Sequence, residues 1–382
     1  MLIYARFFLL LLMTCGSLAV NAQLWVSENN WTDQWESQYS QWISKEVDKS
    51  FFLKANFETD CADAVIALRI IFARQNKLPF QFTTGSGDKI NNLSKIFKAA
   101  DLSQDWFVDR NFILALKEIL SRTNSKTLIQ DSVSIRITQN ELYAGTYFIH
   151  DFNNSGHVDL VHKVILNGQI YPIRMLSSTV PKKTRELLEY PFYFSSKPIK
   201  NKTGFFKFRN PIEKNGLVSY LGIDNNANYE QYQLGENDLI FSDYVSLQLL
   251  KMPLSSYAKA FDLMQLLISK INERVRIVQN GFAFCIINSC ADGSQGYYNY
   301  STPSRDANIL YIIMQLKSAM SQSQNSQDEI SAISDLLYEF YDIRFEISYN
   351  TQVSGKQILE IWSNGLYSSN PRDTVLTRWG LK

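Results

Sequence analysis

The sequence predicts an α+β protein: a cysteine-bearing helix packed on a small antiparallel sheet, then a mainly helical, mixed C-terminal half. Three observations predict it. Val65, Ile66, Leu68, Ile71 and Phe72 give a broad apolar helix face just after Cys61. From Ser132 the period changes to two, and strand-like runs follow as far as Met175. Beyond residue 250, helical patterns over 255–279 and 305–342 dominate.

Taken in order, residues 1–22 read as a secretory signal. Arg6 supplies the charged start, residues 7–13 an unbroken apolar run, and Val20-Asn21-Ala22 a cleavage site after Ala22. That run is far shorter than the roughly 20 residues a spanning helix needs, and no later stretch approaches that length. The reading is a secreted or periplasmic protein with no membrane span. A lipoprotein anchor at Cys15, behind Leu12-Met13-Thr14, is the minor alternative. The mature chain exceeds what one core usually serves, so residues 23–180 are expected to form one domain and 181–382 an accessory domain. Removing the signal takes away Arg6 and no acid, leaving 37 basic residues against 37 acidic ones. A neutral chain has no electrostatic footprint for nucleic acid or an anionic membrane surface, and neither is an expected partner.

Trp31, Trp35, Tyr39 and Trp42 fall at i, i+4, i+8 and i+11 of a helix over 29–48. The stripe reads as a packing face, with a sugar-stacking platform as the alternative. The helix that starts near Cys61 is broken by Gln75-Asn76-Lys77-Leu78-Pro79. Residues 80–82 read as a short strand. Gly85-Ser86-Gly87-Asp88 lacks the lysine and spacing of a phosphate cradle and reads as a turn. Helical patterns follow over 90–101 and 108–122. Val133, Ile135 and Ile137 alternate with polar residues, and Thr146-Tyr147-Phe148-Ile149 forms a second run. A third runs from His157 to Val164, and Asn167-Gly168 is a hairpin turn before a returning strand over 170–175. Residues 190–250 read as loops and short strands, and 345–348 and 358–362 as strands. Arg305 could meet a ligand carboxylate, while Ser304 or Asp306 could cap the following helix.

The cysteines carry the chemistry. Cys285 and Cys290 have no nearby histidine, which makes a poor zinc signal, and an oxidising compartment favours a local disulfide between them. Cys61 is then left over: a buried passenger, half of an intermolecular bridge, or a nucleophile. A thiol attacks as the thiolate, a form that helix N-termini and neighbouring histidines favour. Asp60 reads as the cap of a helix opening at Cys61, whose first-turn N–H groups could also meet an oxyanion. A histidine must hold the proton and return it to the leaving group. The chain has three, His150, His157 and His162. His157 is the best placed, opening a strand after the polar string Asn153-Asn154-Ser155-Gly156. His162, five residues on, is expected on the opposite face. His150, at the far end of the preceding strand beside Asp151, is the second choice.

Asp60-Cys61-Ala62-Asp63-Ala64, Leu142-Tyr143-Ala144-Gly145-Thr146 and Ser155-Gly156-His157-Val158-Asp159-Leu160-Val161 together resemble an NlpC/P60-type cysteine peptidase. The cysteine string is also similar to that of the bacterial transglutaminase-like proteinases. The resemblance covers roughly residues 55–180. It implies a papain-like N-terminal domain in which Cys61 attacks an amide carbonyl and His157 serves as base and then acid. It also implies a peptide or isopeptide substrate, peptidoglycan stem peptides first among them, with no cofactor and no metal. The chain departs from the family where Ala144-Gly145-Thr146 replaces the usual Pro-Gly-Asp. The offset of 96 residues from Cys61 to His157 calls for inserted elements. Strand pairing would place Ser177 or Ser178 opposite His157, and Ser178 is taken as the third member of a triad. Two alternatives stand beside the hydrolase: an inactive papain-like binding or structural protein of the cell envelope, and an acyl transferase using the same thioester chemistry.

Overall fold

The computed structural model describes residues 23–152, 155–166, 171–193, 198–220, 229–233, 241–251, 255–321 and 326–382. The expected signal at 1–22, the Asn153-Asn154 part of the polar loop and the Asn167-Gly168 turn lie outside the described residues. The fold mixes helices with antiparallel sheets. The described residues fall into two units, one within Met1–Ile165 and Ile173–Ser242, the other within Leu166–Pro172 and Asp243–Lys382. The boundary expected at residue 180 therefore lies inside the first unit, because strands beyond it complete the sheet.

The first unit opens with α1 (Asp33–Glu46), capped by the Thr32 hydroxyl, which accepts from the Trp35 N–H. After α2 (Phe51–Lys54) comes α3 (Cys61–Gln75), buried at every position from Cys61 to Arg74. Such complete burial requires its two arginines to be paired. Arg69 bonds Glu36 and Asn210 and lies 3.2 Å from the Trp31 ring centroid. Arg74 meets Asp109 at 2.9 Å. Phe72 is the hub of the aromatic stripe, with Trp31, Trp35, Tyr39 and Trp42 at centroid distances of 5.9, 6.5, 5.3 and 5.6 Å. The stripe is a packing face.

A hairpin of β1 (Gln81–Thr83) and β2 (Lys89–Asn91) follows, turning through Gly85 and Gly87. The helix expected over 90–101 does not form. Ile90 joins β2, and the Asn91 side-chain Oδ1 accepts from the Leu93 N–H at 2.9 Å while the Ser94 hydroxyl accepts from the Asn91 N–H at 2.9 Å. Such local side-chain bonds offer the backbone an alternative to a helix. α4 (Arg110–Arg122), capped by Asp109, and α5 (Ser125–Leu128), capped by Asn124, do form.

The sheet is built from β3 (Ser132–Ser134), β4 (Tyr147–Phe152), β5 (Ser155–Val164), β6 (Ile173–Ser177), β7 (Leu188–Pro191) and β8 (Gly204–Phe208). Their spatial order is β3-β8-β4-β5-β6-β7, antiparallel throughout. β9 (Pro211–Lys214) and β10 (Leu217–Tyr220) make a separate hairpin. Helix α3 packs beside the ten-residue strand β5. Their shared core runs from Ile66 and Ile70 to Tyr147, Val158 and Leu160.

The second unit is mainly helical: α6 (Phe241–Leu250, starting in the first unit), α7 (Ser256–Ile287), α8 (Gln295–Tyr300), α9 (Pro303–Met320) and α10 (Gln327–Asp342). The hairpin of β11 (Arg344–Ser348) and β12 (Thr351–Ser354) leads to α11 (Gly355–Ser363) and α12 (Val375–Arg378). The strand expected over 358–362 is part of α11. Its short apolar run fits either period, and the capping box of Ser354 with Gln357 decides for a helix. Cys285 and Cys290 form the expected disulfide. Arg305 pairs with Glu273 at 3.0 Å, and Asp306 receives the buried Arg274 instead of capping α9.

Candidate active site

Cys61 is the first residue of α3, and the local sequence fixes it there. The Asp60 carboxylate accepts the Asp63 N–H at 3.0 Å, and Asp63 reciprocates toward the Asp60 N–H at 3.4 Å. This capping box occupies the cap and third-position N–H groups, while those of Cys61 and Ala62 stay outside it. Asp63 is buried, which raises its pKa, and the neighbouring Asp60 adds to that rise. Lys182 opposes both from 2.8 Å. Upstream, Thr59 bridges to Lys183 through N–H···O contacts of 3.1 and 3.3 Å.

His157 comes from the start of β5. Its Nε2 lies 2.9 Å from Asp159 Oδ1 and 3.0 Å from Ser177 Oγ. The Ser177 hydroxyl donates to the Ser178 carbonyl at 3.0 Å, so its oxygen is left to accept. Nε2 therefore carries the proton, shared between the carboxylate and the serine. Cys61 lies close enough to the same ring to help raise its pKa. Cys61 is 6% exposed. The His157 side chain is 24% exposed and forms the accessible edge of the pair.

Asp159 is the residue that sequence reasoning passed over. It is fully buried and accepts from His157, from His150 Nε2 at 2.6 Å and from the Tyr190 hydroxyl. Burial would raise its pKa. The charge of His157 and the hydrogen bonds from both histidines prevail and hold it well below the carboxylate range. Burial likewise opposes a charge on His157, but Asp159 and then Cys61 outweigh it, so its pKa stands well above that of a free imidazole. His150, wholly buried, goes the other way. Desolvation exceeds the pull of Asp159 and lowers its pKa. A strand repeats every two residues, so a carboxylate at i+2 from the candidate histidine was the signal available.

One expected position moves. Ser178 does not meet His157: its hydroxyl donates to the Thr59 carbonyl at 3.0 Å and receives the Thr59 hydroxyl at 3.2 Å. The register explains this. Leu160 pairs with Leu176, so one step further sets Ser177 beside Asp159 and turns Ser178 to the other side. His162, beside a bulge between Val161 and Lys163, turns to the face opposite His157, as alternation places it. It bonds Glu189 at 2.7 Å and the backbone of Val47, apart from the cysteine cluster. Among the described residues no group of three or more His, Cys, Asp or Glu side chains is arranged to hold a metal ion. No described helix is long and apolar enough to cross a membrane. Comparison of the chain with protein-family models, curated proteins and solved structures finds no match.

Proposed function

We propose that this protein is an exported cysteine hydrolase of amide bonds, papain-like in the arrangement of its cysteine helix and histidine strand. The observation that carries the reading is the nearness of Cys61, first residue of α3, to a His157 that is itself bonded to Asp159. Cys61 attacks the carbonyl carbon, and the oxyanion meets the N–H groups at the start of the helix. His157, holding the thiol proton on Nδ1, gives it to the departing amine and leaves a thioester. A water molecule then loses its proton to Nδ1, cleaves the thioester and restores the thiol. Asp159 keeps the Nε2 proton in place throughout, the service a carboxylate performs for an imidazole in acyl transfer. Ser178 has no part in this scheme.

The resemblance of the residue strings around Cys61 and His157 to NlpC/P60 peptidases points to peptide or isopeptide substrates, with peptidoglycan stem peptides first. Incubation with purified peptidoglycan and with stem peptides should release new free amines. Cys61→Ser and His157→Ala should lower the rate by about 10²–10⁴-fold. The deep burial of Cys61 favours a second reading, a binding module that keeps the scaffold without turnover. Saturable binding of stem peptides by the intact wild-type protein with no amine release would establish that reading and overturn the hydrolase.

A further inference from the structure

His150 stands directly opposite His157 in the β4–β5 register, and the two ring centroids are 5.7 Å apart. They do not serve one chemistry. His157 has an accessible edge, whereas His150 is 3% exposed and lies 4.5 Å, centroid to centroid, from the ring of Phe148. What they share is Asp159: Oδ1 receives His157 and Oδ2 receives His150, at 2.9 and 2.6 Å. A carboxylate on two rotatable bonds can hold an imidazole in one orientation only if its own rotation is stopped. Beside the Tyr190 hydroxyl, the stop on Oδ2 is a second imidazole on the adjacent strand.

We propose that His150 is a positioning residue: as the neutral Nε2–H tautomer it donates to Asp159 Oδ2, locking the carboxylate so that Oδ1 faces His157. The inference rests on the Cys61–His157 reading and gives that site a fourth member. Its burial suits the role, since a ring kept neutral holds the donor hydrogen bond without placing a second cation beside His157. Orientation by an outer partner of this kind is commonly worth tenfold to a hundredfold in a site's activity.

The experiment uses the full-length wild-type protein and two variants. In nitrogen-15 spectra of the wild type, His150 should show the Nε2–H tautomer from pH 6 to pH 8. A Nδ1–H tautomer would overturn the proposal, because Nε2 could then not donate, and this readout needs no variant to fold. Alkylation of Cys61 by iodoacetamide then tests the consequence. His150→Phe keeps an aromatic ring but removes the donor and should slow alkylation about tenfold, while His150→Gln, which retains a donor, should recover most of the rate. Equal rates for both variants, whether at wild-type speed or equally slow, would reduce His150 to a packing residue. His157→Ala separates the two readings. If it leaves alkylation unchanged the relay itself fails; if it alone slows alkylation, only the role of His150 fails.

Discussion

Asp159 lies two residues beyond His157 on the same strand, and its Oδ1 sits 2.9 Å from His157 Nε2. The pairing is an automatic product of strand geometry, since positions i and i+2 share a face. In the proposed hydrolase it would turn the cysteine–histidine pair into a relay with one tautomer. Asp159→Asn should therefore cost much more than Ser177→Ala. The amide can present its N–H to the ring and force the wrong tautomer, a change that costs acyl-transfer sites several orders of magnitude. We expect amine release to fall by at least about a hundredfold in Asp159→Asn. Ser177→Ala should lose less than about tenfold, as only the weaker of two acceptors goes. Ser178→Ala should leave turnover near wild type and lower the melting temperature instead. Equal losses for Asp159→Asn and Ser177→Ala would show that neither group sets the tautomer.

The same cluster should shape stability against pH. His157 has a folded pKa above its unfolded value near 6.5. Its contribution is complete below that pH and is lost as pH rises through the folded value. His150 has a folded pKa below 6.5. Its contribution is complete above 6.5 and is lost as pH falls toward the folded value. Asp159, depressed well below 3.8, contributes down to that pH and loses its part only in stronger acid. Together they place a maximum near pH 6.5, falling on both sides. Urea midpoints measured from pH 4 to pH 9 should show it, and His150→Phe should flatten the acid limb while leaving the alkaline limb in place. An unchanged acid limb in that variant would assign it to other groups.

The sequence made the cysteine helix legible because its cap is local: Asp60 and Asp63 sit within one turn of Cys61 and need no distant partner. His157 was legible for a similar reason, as a polar residue at the start of an alternating run that follows the string Asn153-Asn154-Ser155-Gly156. The third member was not, because strand register decides which of Ser177 and Ser178 reaches the ring, and register is a property of the assembled sheet. Asp159 was visible as a residue but not as a participant, since two of its three donors come from other strands. In the same way, residues 358–362 read equally well as strand or helix until Gln357 closed back on Ser354.

Gly156 has no room for a side chain. A Cβ there would stand 2.2 Å from Ser125 Oγ and 2.9 Å from Ser125 Cβ. Because it immediately precedes His157, any shift to relieve the clash would move the ring. Gly156→Ala should destabilise the protein by about 1–3 kcal/mol, the usual cost of overpacking, and slow Cys61 alkylation. Ser125→Gly removes both clashing atoms, so the double variant should recover most of the stability and the reactivity. The double-mutant cycle measures this directly. Additive losses would mean that the glycine is required for some reason other than Ser125.

In the second unit, Arg274 is fully buried and its charge is balanced by Asp306, itself 1% exposed. The carboxylate also receives the hydroxyls of Thr302 at 2.7 Å and Ser369 at 2.6 Å, while Arg274 Nη2 donates to the carbonyls of Ser368 and Arg378. The guanidinium lies 4.9 and 4.5 Å from the ring centroids of Trp362 and Trp379. Removing one partner from such a pair strands the other charge away from water and typically costs about 3–5 kcal/mol, whereas replacing both with apolar groups can cost little. Asp306→Ala should therefore lower the urea midpoint sharply. Arg274→Met combined with Asp306→Leu should cost less than Asp306→Ala alone. Tryptophan fluorescence is a suitable probe, because Trp362 and Trp379 flank the charge that is stranded. If the double replacement costs as much as the two single ones added together, the hydroxyl and carbonyl bonds around the pair hold this core, and the ion pair does not.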